Sequence, residues 1–207
     1  AEPAALIAAP CLVALMFLFA GRWRVAVDRA VALRRERAAR ERLAVESRTD
    51  PLTRVLNRRG WEEELALVAA RARRGSHPFC VALIDLDHFK AFNDRHGHQA
   101  GDRLLTRSAA AWAAEVRAVD VIARYGGEEF AVAFPGCDLE AAGEIAERLR
   151  RACPPGVTCS IGIAEWDGTE EPESLVRRAD TALYSAKGGG RDRVVVAASP
   201  AEAPAAG

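Results

Sequence analysis

The chain has 207 residues, half of them hydrophobic, and its 29 Lys and Arg are balanced by 29 Asp and Glu to a formal net charge of zero. That leaves room for one ordinary domain with a sizeable core plus extensions, and it excludes a nucleic-acid binder that works through a bulk basic field. Five cysteines, odd in number and without Cys-x-x-Cys spacing, argue against a disulfide framework; Cys11, Cys80, Cys137, Cys153 and Cys159 sit mostly in apolar runs and read as buried thiols of a reducing compartment.

From Pro3 to Gly21 there is no charged residue. As a helix this stretch reaches about 28 Å, close to the hydrocarbon thickness of a bilayer. Arg22 and Arg24 follow at once and only Glu2 precedes, which places the downstream side in the cytoplasm. A signal peptide is the alternative, but it needs a basic leading segment and none is present. Residues 3–21 are therefore expected to form a transmembrane helix in the inner membrane, single or the last of several; Pro10 is tolerable there. The chain starts with Ala rather than Met, as a piece of a longer protein would.

Residues 22–48 carry Arg34-Arg35-Glu36-Arg37 and Arg40-Glu41-Arg42 among Ala, Leu and Val. Apolar positions recur only loosely, at Trp23, Val27, Ala30, Val31 and Leu43. The stretch reads as a long charged helix, either a signalling helix paired with its copy in a dimer or a solvated connector. Thr49-Asp50-Pro51-Leu52-Thr53 breaks it, because the residue before a proline avoids the helical region, and marks a domain boundary.

The globular part, residues 49–196, alternates helices and strands. An amphipathic helix is expected over roughly 58–74 with Trp61, Leu65, Leu67 and Val68 as its apolar share, ended by Gly75-Ser76-His77-Pro78. Phe79 to Leu86 is nearly all apolar, as a strand covered on both faces should be. A short helix follows from Phe89 to Asp94, a loop from Gly97 to Asp102, and a helix to about Val116. Two β-branched or aromatic runs, 119–123 and 130–134, read as a hairpin with Gly126-Gly127 supplying positive φ at its tip. Asp138 is placed to cap a helix running to Arg151, with Leu139, Ile145 and Leu149 on one face. Val157 to Ala164 is a strand, Glu173 to Lys187 a helix stopped by Gly188-Gly189-Gly190, and Val194 to Val196 closes the sheet. The hairpin makes that sheet mixed, which favours an α+β fold with a central mixed sheet flanked by helices over a doubly wound one. Residues 197–207, rich in Ala and Pro, are expected to be disordered.

Four places carry chemistry. Asp85 ends a buried strand, where an unpaired charge is costly; it reads as a strand-end residue or as one acid of a cluster with Glu128 and Glu129. Mg²⁺ takes hard oxygen ligands and keeps positions open for water and phosphate, and two such ions about 4 Å apart clamp both oxygens in phosphoryl transfer. Asn93 and Asp102 read singly as turn residues, or together as a donor and acceptor set for guanine. The hairpin tip Arg124-Tyr125-Gly126-Gly127-Glu128-Glu129-Phe130 is a plain solvated turn or a nucleotide-phosphate and metal site, since side-by-side acids repel unless a cation sits between them and glycine lets a ligand approach the backbone. Lys187 and Arg191, spaced across a glycine run, suit a phosphate clamp or a basic helix end.

With these residues in order the sequence resembles the GGDEF family of diguanylate cyclases. The signature stands as Gly126-Gly127-Glu128-Glu129-Phe130, and the likeness covers Asp50 to about Val196. Further landmarks are Asp50-Pro51-Leu52-Thr53, Leu56-Asn57-Arg58-Arg59, Asp85-Leu86-Asp87-His88-Phe89-Lys90, Asn93, Gly97-His98, Gly101-Asp102, Ser160-Ile161-Gly162 and Ala182-Leu183-Tyr184-Ser185-Ala186-Lys187 with Gly190-Arg191. The resemblance implies that two GTP-loaded domains of a homodimer face each other and that each 3′-hydroxyl attacks the partner's α-phosphate, giving cyclic di-GMP and two pyrophosphates. It implies Mg²⁺, two per site with Mn²⁺ as a substitute, held by Asp85, the Leu86 carbonyl, Glu128 and Glu129, with Glu128 helping to remove the hydroxyl proton. Asn93 and Asp102 would read guanine, Gly126 and Gly127 would pass close to the nucleotide, and Lys90, Lys187 and Arg191 would bind phosphates. Arg117-Ala118-Val119-Asp120 has the spacing of the family's inhibitory site, with Arg148 as a further arginine, which implies product inhibition. No nucleic acid is expected as a partner, and the membrane is reached through the N-terminal helix. Asp192 stands where the family usually has Asn, a departure expected to matter little; His88 replaces a common aromatic, and 151–158 is shorter than usual. The alternatives are a non-catalytic GTP or cyclic di-GMP binding module and a cyclase with another cyclic product; the presence of Asp85, Glu128 and Glu129 favours the enzyme, and Asn93 with Asp102 favours guanine.

Overall fold

The structure is a computed structural model that describes residues 48–198 together with Trp23, Arg29, Leu33 and Arg34. Its contacts divide the chain into two units, Ala1–Ser47 and Arg48–Gly207. In the first, the four described residues are helical and exposed. The expected transmembrane helix at 3–21, most of the expected signalling helix and nearly all of the expected tail lie outside the described residues. Among the described residues no helix is long and apolar enough to cross a membrane.

The second unit runs α1 (Arg58–Gly75), β1 (Phe79–Leu86), α2 (Phe89–His96), α3 (His98–Glu115), β2 (Val121–Arg124), β3 (Glu129–Pro135), α4 (Leu139–Arg151), β4 (Cys159–Glu165), α5 (Pro172–Gly188) and β5 (Val194–Val196). The strands form one sheet in the order β2-β3-β1-β4-β5. β1 is central and antiparallel to both β3 and β4, β2 is antiparallel to β3, and β4 is parallel to β5. The sheet is mixed, as the hairpin requires.

Every residue of β1 is buried, and the period-two alternation of a strand splits its side chains between two helical layers. Cys80, Ala82, Ile84 and Leu86 join Phe89, Leu104, Leu105, Trp112, Ile145 and Leu149 from α2, α3 and α4. Phe79, Val81 and Leu83 join Trp61, Leu65, Val68, Leu175, Ala179 and Leu183 from α1 and α5. Each large apolar side chain so buried contributes about 1.5–3 kcal/mol. Trp112 meets Phe130 edge-on at 4.9 Å and satisfies its indole N–H on the Leu149 carbonyl at 2.9 Å. The domain entry is tied down as well: Leu56 bridges Ala123 beside β2, and Asn57 caps α1 by accepting from the Gly60 amide at 2.9 Å.

Four expectations are corrected. There is no loop over 97–102: α3 already begins at His98, because Gly97 alone, at φ 82°, makes the turn from α2. Gly126 and Gly127 are not among the glycines with positive φ; residues 125–128 form a wider tip, closed by the Tyr125 and Gly126 amides on the Glu129 carbonyl at 2.8 and 3.1 Å. The first hairpin strand starts at Val121, since 117–120 is a turn closed by the Asp120 amide on the Arg117 carbonyl. Leu67, counted to the apolar face of α1, is 48% exposed; Ala69 and Ala72 fill that face instead.

Candidate active site

The C-terminal end of β1, the β2–β3 tip and the C-terminal end of α5 converge. Asp85 lies opposite Glu129 on β3 and Ser160 on β4, so the three share one face of the sheet, the face that α5 covers. Asp85 is only 8% exposed, and its Oδ2 lies 2.7 Å from Lys187 Nζ. Burial pushes the Asp85 carboxyl up from its ordinary range; Lys187 opposes that shift and Asp87 adds to it. Glu128 is pushed up too, by burial first, then by the charges of Asp85 and Glu129, with Lys187 again opposing. Its carbonyl accepts from the Leu86 amide at 3.4 Å, which seats it beside the strand end. Asp85 and Glu128 are thus electrostatic neighbours whose ionised forms disfavour each other. A side chain on Gly126 would begin 2.6 Å from Glu129 Oε2, whereas one on Gly127 would meet nothing.

Arg124 builds the tip. Its guanidinium donates to the Gly127 carbonyl through Nε at 3.0 Å and Nη2 at 2.7 Å, and Nη1 lies 3.3 Å from both oxygens of Asp50. Burial acts to raise the Asp50 pKa, but the Thr53 hydroxyl and amide and Arg124 together hold it below its usual range. One arginine therefore joins the domain entry to the glycine-rich tip.

α2 leaves the same end of β1, which brings Lys90 and Asn93 to that edge. Lys90 is exposed on the first turn of α2, and Asp102 is exposed on α3. Asn93 Oδ1 is buried and, among the described residues, has no hydrogen-bond partner. It points at Gly101, where an added Cβ would lie 1.9 Å away. An unsatisfied buried acceptor is costly, so this oxygen is placed for a donor that the described residues do not supply. On the opposite side, Arg191 follows the glycine run with its amide on the Ala186 carbonyl at 3.0 Å, and its Nε stands 4.0 Å from Asp87 Oδ1.

The three inhibitory-site candidates gather around the α3–β2 turn. Arg117 holds Asp120 through Nη2 at 2.7 Å and also reaches the Pro135 carbonyl and Cys137 Sγ, both at 3.1 Å. Arg148 donates to the Glu115 carbonyl at 2.9 Å. Of the three, Asp120 lines a groove of about 780 Å³ between α1 and β2, together with Arg71, Val68 and Val119.

For a metal, the donor chemistry fits: buried Asp85 and half-buried Glu128, neighbouring carboxylates with raised pKa values, favour a hard divalent cation. The cage is not fully assembled, however. No group of three His, Cys, Asp or Glu side chains stands ready for a metal among the described residues, and Asp85 gives one oxygen to Lys187. Reading the sequence missed two acids here. Asp87, fully buried, accepts from Thr158 and Ser160; its signal was the Asp-Leu-Asp alternation, which puts it on the face of Asp85. Asp192, expected to matter little, binds Arg150 Nη1 at 2.5 Å, a partner that no local motif announces.

Residues 47–193 match the family described as "Diguanylate cyclase, GGDEF domain". Diguanylate cyclase DgcP of Pseudomonas aeruginosa is 44% identical over 159 residues, which are 72% of this chain and 24% of that one. Response regulator PleD of Caulobacter vibrioides is 41% identical over 160 residues, 71% of this chain and 35% of that one. The chain thus spans about a quarter to a third of the length of these curated relatives. Among solved structures, the coiled coil and GGDEF domain of DgcB from Caulobacter crescentus, in complex with c-di-GMP, aligns with a TM-score of 0.71 at 34% identity over 83% of this chain and 96% of that one. Diguanylate cyclase SiaD of Pseudomonas aeruginosa, in complex with its activator SiaC, aligns at 0.70 and 34% identity over 93% and 80%.

Proposed function

The chain belongs to the GGDEF family of diguanylate cyclases, and from that premise we propose that it condenses two GTP into cyclic di-GMP and two pyrophosphates across a homodimer interface. The observation that carries the reading is the pairing of buried Asp85 with Lys187 beside Glu128, at the end of β1 from which α2, the helix bearing Asn93, departs. Asp85, the Leu86 carbonyl and Glu128 are the residues that would hold Mg²⁺, with Glu129 joining as a further ligand; when bound, the metal neutralises phosphate charge and polarises the oxygens at the reacting phosphorus. Lys187, Lys90 and Arg191 bind the phosphates. Asn93 Oδ1 accepts from a guanine N–H, which satisfies the acceptor left over in the fold, and Asp102 accepts a second. Glu128, with its raised pKa, is suited to take a hydroxyl proton. The rest is positioning and charge neutralisation. A single domain presents one such site, so two copies must meet for two substrates to react.

Product inhibition through Arg117, Asp120 and Arg148, and membrane anchorage through residues 3–21 with a cytoplasmic catalytic domain, belong to the same proposal. They rest on motif spacing and on hydropathy. The test is incubation with GTP and Mg²⁺ followed by product identification, with Glu128→Gln alongside. Cyclic di-GMP from the wild type and none from the variant supports the reading. GTP binding without product would leave a binding module. A flat initial rate against added cyclic di-GMP would remove the inhibition, and recovery in the soluble cell fraction would remove the anchor.

A further inference from the structure

Asp87 is a buried carboxylate that the reaction as described does not use. Its side chain is wholly enclosed, and its oxygens are fully engaged. Thr158 Oγ1 donates to Oδ2 at 2.7 Å, Ser160 Oγ to Oδ1 at 2.8 Å, and the backbone amide of Asp192 to Oδ2 at 3.1 Å. Its own amide donates to the Thr158 carbonyl at 2.9 Å. Asp87 thus ties the ends of β1 and β4 to the loop after α5.

That loop is held in a costly shape. Arg191 and Asp192 have φ of 65° and 44°, the left-handed region that residues with a Cβ avoid and that persists only where the surroundings impose it. Three restraints impose it here. Asp87 takes the Asp192 amide, the Ala186 carbonyl takes the Arg191 amide at 3.0 Å, and Arg150 Nη1 grips the Asp192 carboxylate at 2.5 Å while itself held by Glu147 at 3.0 Å. The outcome concerns Arg191. Its guanidinium approaches Asp87 through Nε, at 4.0 Å, and its terminal nitrogens make no hydrogen bond among the described residues. They are the pair that grips a phosphate bidentately.

We propose that Asp87 is a positioning residue for the GTP phosphates: by fixing the left-handed Arg191–Asp192 step to the strand ends, it holds the Arg191 fork aimed at the edge that Lys187 already reaches. This rests on the diguanylate cyclase reading of the site. Asp192 with Arg150 is the second anchor of the same step, so the replacement of the family's usual Asn comes with its own compensating partner.

The experiment is a double-mutant cycle on the full chain with Asp87→Ala, Arg191→Ala and the pair. The readouts are KM and kcat for GTP, the Kd for a non-condensable GTP analogue by calorimetry, and the melting temperature. Asp87→Ala should raise KM and the analogue Kd about tenfold, the scale of one charge-assisted contact, with kcat nearly unchanged. In the Arg191→Ala background the same substitution should add nothing, because its effect runs through that arginine. If Asp87→Ala fails to fold, Asp87→Asn replaces it in the cycle; it keeps an acceptor for the Asp192 amide but loses the charge, and a smaller rise that also vanishes without Arg191 is expected. Losses that multiply in the double variant, or a KM unmoved in a folded variant, overturn the proposal. A wild type that binds the analogue but yields no cyclic dinucleotide fails the functional reading alone, since the binding cycle still reads Asp87; one that binds no analogue overturns both.

Discussion

At Gly162 the sheet runs directly against the backbone of the helix bearing Lys187. An ideal Cβ built there would lie 2.2 Å from both the Ala179 carbonyl oxygen and the Leu183 amide nitrogen and 2.8 Å from the Leu183 Cα. All three are backbone atoms of α5, so no rotamer change relieves the clash. Restoring ordinary contact at about 3.4 Å requires α5 to move about 1.2 Å off β4. Overpacking typically costs about 1–3 kcal/mol, and because the obstruction is backbone we place Gly162→Ala at the upper end, about 3 kcal/mol. The gain from replacing a strand glycine, about 0.5–1 kcal/mol, does not offset it. For a domain of this size that is a fall in melting temperature of about 6–12 °C. Function should suffer with it, since Lys187 sits one turn beyond Leu183 and its 2.7 Å contact with Asp85 depends on the seating of α5. Thermal unfolding and a GTP saturation curve, run together, test both. A variant that melts within 2 °C of wild type, an interval of under about 1 kcal/mol, with an unchanged KM, would refute the argument that this glycine is kept for close backbone approach.

Gly101→Ala differs because its obstructions are side chains: Asn93 Oδ1, 1.9 Å from the new Cβ, can turn away, and the Phe89 ring, with Cζ at 3.1 Å, need give by only a few tenths of an ångström. The helix gains about 1 kcal/mol of propensity, so the melting temperature should barely change while the Kd for a GTP analogue rises; unaltered binding would separate Asn93 from guanine. Arg124→Ala removes both bonds to the Gly127 carbonyl and the contact with Asp50, and should cost about 1.5–3 kcal/mol together with most activity. Since the pKa of Asp50 is lowered in the fold, its stabilising contribution is present above the unfolded value and lost as pH falls through the folded one. The Arg124→Ala deficit in urea titrations should therefore be largest at neutral pH and shrink in acid; a pH-independent deficit would count against the Asp50 contact. Asp85 and Glu128 have the opposite sign: raised pKa values make the metal-free fold lose stability as pH climbs from the ordinary carboxylate range, about 4, through the raised values. A divalent cation binds the ionised pair, so the Mg²⁺-induced gain in melting temperature should grow over that same interval and fail to grow in Glu128→Gln; equal gains at every pH would place the metal elsewhere.

What could be read from the sequence was whatever lies close along the chain. Phe79–Leu86 was legible to the residue because a strand buried on both faces leaves an unbroken apolar run. Asp138 was legible as a cap because capping acts over three residues, here onto the Ala141 amide at 2.9 Å. The turn at Gly97 was misjudged because one left-handed glycine does what a whole polar loop was expected to do, and the glycine inside α3 looked like a breaker when it is a point of contact with Asn93. The site divides in the same way. Glu128, Glu129, Lys187 and Arg191 sit in local patterns and could be named as candidates from the chain alone. The contacts that set their positions join residues far apart in sequence: Asp87 with Asp192, Arg150 with Asp192, and Arg124 with Asp50. A departure such as Asp192 cannot be judged at its own position, since whether a carboxylate is tolerated there depends on a cation 42 residues earlier that the fold brings within 2.5 Å. Asp87 adds a second reason. It bonds the Asp192 amide rather than its side chain, so that contact is blind to the change from Asn to Asp, while Arg150 responds to it. The loop can therefore change its side chain at 192 as long as a partner on α4 matches the charge, and the aim of Arg191, held through the backbone, survives the exchange.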